Sequence, residues 1–153
     1  MNDVAVLDEI ARQLAQVGIR VRATAMDKGA FFALAASGGT RMHLMGWSCE
    51  TGDAGDVLDS VAHSKDETAL GADNDMDLAD PELDRFIDAA NASTSIPERS
   101  QRLKEAMARL HALRVYLPLY VQPESAALSS RVIWSPPPNF ALMPADFRRA
   151  PGA

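Results

Sequence analysis

The sequence has one cysteine, no long apolar run and no cluster of basic residues, and each shortage excludes something. Cys49 has no second cysteine to pair with, so no internal disulfide framework holds this chain. No stretch approaches the roughly 20 apolar residues that a membrane helix requires. The opening Met-Asn-Asp-Val-Ala-Val-Leu-Asp-Glu-Ile has no basic start and is interrupted by acids within a few positions, which is not the pattern of a signal peptide. Lys and Arg total 15 against 21 Asp and Glu, a net charge of -6, whereas a nucleic-acid footprint needs clustered positive charge.

What is present reads as one globular domain over residues 1–153. The apolar fraction of 47% and charged fraction of 24% are close to globular averages, which excludes a disordered, collagen-like or coiled-coil chain. A chain near this length buries roughly 68–70% of the surface its unfolded form exposes, so its core needs no metal or disulfide to support it.

Leu7, Ile10, Ala11, Leu14 and Val17 recur at helical spacing, with Asn2 or Asp3 available as a cap and Gly18 placed to stop the helix. Ile19, Val21 and Ala23 then alternate with polar residues, which predicts a strand. Asp27 is positioned to cap a short helix carrying Ala30, Phe31 and Leu34, and Gly38-Gly39 to end it. Met42 to Trp47 reads as the next strand. Residues 48–56 form a polar, glycine-containing loop opening into a helix through Val57, Leu58 and Val61. Residues 64–79 have no usable period and read as an extended surface connection.

Asp80-Pro81-Glu82-Leu83 joins an N-cap acid to a first-turn proline and a first-turn acid, and so predicts a helix through Leu83, Phe86, Ile87 and Ala90. Ser95 and Glu98 have capping-box spacing. They open the longest helix, with Leu103, Met107, Leu110 and Leu113 on one side and Arg99, Arg102 and Arg109 facing water. Leu117 to Val121 reads as a buried strand, and Ala126 to Leu128 and Val132 to Trp134 as shorter extended segments. Proline-rich residues 135–153 read as an irregular tail. The whole predicts an α/β fold, a mixed sheet flanked by helices.

The pointed chemical feature is the acidic loop with Glu50, Asp53 and Asp56 after a strand-terminal Trp47. Ligands collect outside strand ends in open α/β sheets, where a carboxylate beside an aromatic ring suits a cationic group such as a peptide amine. The same acids also serve as solvated turn and helix-cap residues. Asp73, Asp75, Asp77 and Asp84 imitate a calcium loop, but Leu78 stands where its glycine belongs and Asp84 where its bidentate glutamate belongs. His43, His63, His111 and Cys49 match no zinc spacing, and no metal or other cofactor is expected. No nucleophile elbow, Walker loop or dinucleotide fingerprint occurs, so no enzyme chemistry is indicated.

Several segments together resemble one family. Val4 to Leu14 followed by Val17-Gly18-Ile19-Arg20-Val21, the Met42–Trp47 segment with its Gly46-Trp47 pair, the Asp80-Pro81-Glu82-Leu83-Asp84 helix start, and the Leu117-Pro118-Leu119-Tyr120 exit resemble the carboxy-terminal lobe of family 5 solute-binding proteins, the peptide, opine and nickel class. The resemblance implies a partial lobe like that of type II periplasmic binding proteins. It also implies a non-enzymatic, extracytoplasmic receptor that delivers a small peptide or similar solute to an ABC-transporter permease. By position, Glu50 takes the role of the acid that meets a ligand ammonium group, with one methylene more reach than aspartate. Trp47 lies near the cleft, and Asp53 is a loop acid that caps the following helix.

Family members also carry a signal peptide and a first lobe, so the resemblance implies a truncated lobe, periplasmic in its full-length form. An isolated lobe supplies half a cleft and binds weakly, since closed sites bury about 70–90% of a ligand. The competing expectation is a free-standing interaction domain. A helix-first chain without the strand expected before residue 1 leaves an unpaired sheet edge, which recruits a second copy into a homodimer.

Overall fold

The computed structural model describes residues 3–49, 51–123, 125–137 and 142–152. Helix α1 spans Asp3–Gln16 and α2 Lys28–Ala36. A short helix α3, Gly55–Val57, runs directly into a π-helical turn, Leu58–Ala62. Helix α4 spans Pro81–Ala92 and α5 Ile96–Leu113. Strands β1, Val132–Ile133, and β2, Arg148–Arg149, pair antiparallel with Val132 opposite Arg149 and Ile133 opposite Arg148.

The helix boundaries follow from local chemistry. Gly18 adopts φ +83°, and the amides of Gly18 and Ile19 bond back to the carbonyls of Ala15 and Leu14, a Schellman closure. Gly38 and Gly39 close α2 in the same way on Ala35 and Leu34. Asp27, Asp80 and Ser95 each accept a hydrogen bond from the amide three residues on, at 3.0, 2.8 and 3.5 Å. Each cap satisfies a helix amide that has no partner within its own helix.

The core lies where α4 and α5 pack on each other and on the π-helical turn. Leu58, Ala62, Leu83, Ile87, Ala90, Leu103 and Ala106 are buried there, with Phe86, Leu110 and Leu113 packed around them. By contrast α1 has no buried residue. Its apolar stripe of Leu7, Ile10 and Leu14 is half-buried, and Val4 and Val17 are exposed.

The sheet departs from the sequence expectation. Among the described residues it comprises β1 and β2 only, an antiparallel pair and not a mixed sheet flanked by helices. The segments predicted as strands at 19–23, 42–47, 117–121 and 126–128 form no ladder with any other described residue. Alternating hydrophobicity marks a chain fit to be a strand, but a strand exists only where another supplies its hydrogen bonds. Leu117 to Val121, expected to be buried, is exposed along its whole length. The expected tail is partly ordered, with a 3₁₀ turn over Pro144–Asp146 and a 2.8 Å bond from the Ala150 amide to the Arg131 carbonyl. There Trp134 stacks on Phe147, their ring centroids 5.4 Å apart and their planes 6° from parallel.

Residues 64–79 run through turns without a helix or strand. The amides of Gly71 and Asp73 donate to the Asp59 and Ser60 carbonyls at 2.7 and 2.9 Å, so the loop doubles back along the π-helical turn. Asn74 is wholly buried beneath it. Among the described residues no helix is long and apolar enough to cross a membrane.

Candidate functional site

The candidate loop, 47–56, is held at two points. The Trp47 indole Nε1 donates to Asp56 Oδ1 at 2.8 Å, which fixes the ring on the start of α3 while leaving 39% of the residue exposed. Asp53 supplies the second anchor. Its Oδ1 accepts the Gly55 amide at 2.7 Å, an Asx turn just before α3, whose N-cap is Ala54.

The same carboxylate meets Arg99 of α5 in a two-pronged ion pair, Nη2 to Oδ1 and Nε to Oδ2, both at 3.0 Å. Arg99 extends further, donating through Nη1 to the Ala90 carbonyl at 2.8 Å and to Asn91 Oδ1 at 3.1 Å. One guanidinium thus joins the loop to the end of α4 and the start of α5. A Cβ on Gly55 would collide with Arg99 Nη2, so the glycine makes room for the pair. The Arg99 hydrogen bonds, with the Gly55 amide second, hold the Asp53 carboxyl below the usual carboxylate range, and Asp53 in turn raises Arg99.

Cys49 and Thr51 complete the loop's internal bonding. Thr51 Oγ1 accepts the Asp53 amide at 3.2 Å, and Cys49 Sγ lies 3.4 Å from the Asp53 carbonyl. Beside the loop is an open groove of about 630 Å³, walled by Gly52, Asp53 and Ala54 on one side and by Arg99, Leu103 and Met107 of α5 on the other. Asp53 lines this groove, and Trp47 does not.

The candidate residues therefore divide. Trp47 and Asp53 sit on one loop with different partners, and Glu50 lies outside the described residues. Arg99, expected to face water, is instead tied to Asp53. The sign that marks it is its position one helical turn before Leu103, on the same face as the buried stripe. Arg109 likewise pairs with the Asp80 cap at 2.7 Å. Among the described residues no group of three or more His, Cys, Asp or Glu is placed to hold a metal ion. The would-be calcium ligands have other work, Asp77 pairing with Lys65 and Asp84 accepting the Ser64 amide.

Replacing Arg99 with methionine is expected to cost about 1–2 kcal/mol, the range for a charge-assisted pair that stays partly in water. The Asp53 carboxyl is depressed in the fold, so its contribution is present above its unfolded value near ~3.9 and is lost as pH falls through the lower folded value. The difference between wild type and Arg99→Met in urea unfolding should accordingly be full at pH 7 and shrink in acid below about pH 4. A difference that does not change with pH would show that the pair is not its source.

Comparison with known proteins finds a distant similarity to solute-binding proteins. Relatives it is similar to include the glutathione-binding proteins GsiB of Salmonella. Those of Salmonella choleraesuis (strain SC-B67) and Salmonella typhi are each 29% identical across 94% of this chain. That of Salmonella paratyphi A is 28% identical over the same share. The chain spans 29% of the length of these relatives. The homology supports a solute-binding role at the level of the family. No protein-family model matches the chain, and no solved structure matches it.

Proposed function

We propose that this chain forms one wall of a solute site in a binding protein that serves ABC-type import, acting as part of a carboxy-terminal lobe over residues 1–153. The observation that carries the reading is the similarity to glutathione-binding proteins across 94% of the chain. The loop geometry agrees with it. Trp47 is part-exposed and fixed by Asp56, and its loop is clamped to α5, so it presents a ring held before any ligand arrives. Positional likeness gives Glu50 the role of meeting a solute ammonium group. Asp53, neutralised by Arg99, serves the site by shaping the loop more than by meeting the solute directly.

The solute class is a short peptide or a glutathione-like molecule, delivered in the full-length protein to a permease from the periplasmic side. One wall encloses little of a ligand, so this chain alone should bind with a Kd near ~1 mM, equivalent to about 4 kcal/mol. The test is fluorescence titration of a Trp134→Phe variant, in which Trp47 is the remaining tryptophan. Glutathione or a dipeptide should change the emission saturably, and Glu50→Gln should weaken solutes with a free amine but not their N-acetylated forms. No saturable change up to ~10 mM solute, well above that Kd, would overturn the reading.

A further inference from the structure

His63 is buried, whereas His43 is half-buried and His111 exposed. It closes the π-helical turn, its amide donating to the Leu58 carbonyl at 2.9 Å, and leads into the 64–79 loop. Its ring Nδ1 lies 2.6 Å from the Ser64 carbonyl oxygen. A carbonyl oxygen only accepts, so Nδ1 carries a proton and donates it to this bond. In the neutral ring Nε2 then holds a lone pair. That lone pair meets Asp88 Oδ1 of α4 at 3.5 Å, and among the described residues Nε2 makes no hydrogen bond. We propose that His63 is a proton-operated staple: a second proton, on Nε2, bonds the end of the π-helical turn to Asp88, and its loss sets two acceptors against each other.

Each charged group that faces the ring is an acid. Asp84 stands one helical turn before Asp88 on the same face of α4. Its Oδ1 lies 3.9 Å from Nδ1 and accepts the Ser64 amide at 2.9 Å. The loop contributes Asp66, whose carboxyl is held below the usual range first by the Thr68 hydroxyl, with His63 a smaller cause. Among the described residues neither Asp84 nor Asp88 pairs with a lysine or arginine. Lys65, the nearest cation along the chain, is engaged by Asp77 at 2.9 Å. Tyr116 packs on the same turn, donating to the Val61 carbonyl at 2.8 Å, and burial pushes its phenol up, so it stays neutral.

The staple joins three parts of the chain. The His63 carbonyl accepts from Asn74 within the loop at 3.0 Å, its amide holds the π-helical turn, and its ring reaches α4. Asp88 has 62% of its side chain exposed, so it can turn towards a charged ring and swing to water from a neutral one. The contact is therefore present while the ring is charged and is lost as pH rises. The ring is enclosed by this chain's own residues, and the device does not depend on which solute the candidate loop takes.

Asp88→Asn tests this in urea unfolding at about pH 5 and about pH 8.5, which bracket the ordinary imidazole value near ~6.5 and stay above the ordinary carboxylate value near ~3.9. At the lower pH the variant lacks the charged pair, and its unfolding constant should rise about three- to fivefold, the scale of a pair that stays partly in water. At the higher pH the asparagine amide donates to the Nε2 lone pair, so the constant should fall or stay within about twofold of wild type. In a His63→Gln background the effect of Asp88→Asn should no longer change with pH. Nitrogen NMR of the wild-type ring is a second measurement that does not rest on stability. At about pH 8.5 the neutral His63 should carry its proton on Nδ1, and on acidification Nε2 should gain the second proton. A cost of Asp88→Asn that is equal at the two pH values, a pH dependence that survives His63→Gln, or a neutral ring with its proton on Nε2 would each overturn the proposal.

Discussion

Asn74→Ala should lower the free energy of unfolding by about 2–4 kcal/mol, because it leaves buried backbone groups without partners. Asn74 is entirely shielded from solvent. Its Nδ2 donates to the His63 carbonyl at 3.0 Å and to the Leu78 carbonyl at 2.7 Å, and its Oδ1 accepts the Leu78 amide at 2.9 Å. The side chain thus acts as a piece of secondary structure, supplying both donors and an acceptor to a loop that has no ladder of its own. Alanine removes all three bonds, and each buried polar group left unpaired costs roughly 1–3 kcal/mol before the loop relaxes. Asn74→Asp separates bonding from packing. It preserves shape but turns an acceptor towards two carbonyls, so it should be at least as damaging as alanine. Urea unfolding of both variants measures this, and a loss below about 1 kcal/mol for alanine would show that the loop rehydrates at little cost.

Gly71→Ala should be nearly as severe, about 2–4 kcal/mol, for a steric reason. Gly71 sits at φ +68°, where a side chain is already unfavourable. An added Cβ would run into the His63 carbonyl oxygen and lie 2.8 Å from both the Lys65 nitrogen and the Ser64 carbonyl carbon. All three are backbone atoms that cannot swing aside. Moving them would strain the amide of Gly71 away from the Asp59 carbonyl, the bond that folds the loop onto the π-helical turn. Gly52→Ala is the matched control. Its φ is +70°, yet among the described residues nothing lies within 4 Å of where its Cβ would stand, so it should cost only the conformational share, about 1 kcal/mol. Equal losses at the two glycines would show that backbone conformation, and not the close approach at residues 63–65, governs the effect.

Both variants probe a stretch whose importance was not legible in the residues. Asp73, Asn74, Asp75 and Asp77 read as an acidic surface run, and nothing in the spacing separates the one buried asparagine from its exposed or half-buried neighbours. The same holds for the clamp at the candidate site. The acid Asp53 and its local turn are visible, because Gly55 follows two positions later. Its charge partner lies 46 positions away in sequence, and only the packing of α5 beside the loop brings Arg99 to it. The segment at 117–121 shows the opposite failure. Its composition is that of an interior strand, and its exposure follows from the lack of any described neighbour to pair with.

The sequence by itself determined where the helices begin and end. Asp27, Asp80 and Ser95 cap their helices, and Gly18 and the Gly38-Gly39 pair close theirs, because caps and closures act over three to five residues. The order of its motifs also pointed to solute-binding proteins, in agreement with the homology. Only the tertiary structure decided that Arg99 neutralises Asp53, that Asn74 is buried, and that 117–121 lies open. Each of these depends on which distant segment supplies the opposite charge, the hydrogen-bond partner or the neighbouring strand, and local propensity contains no record of that.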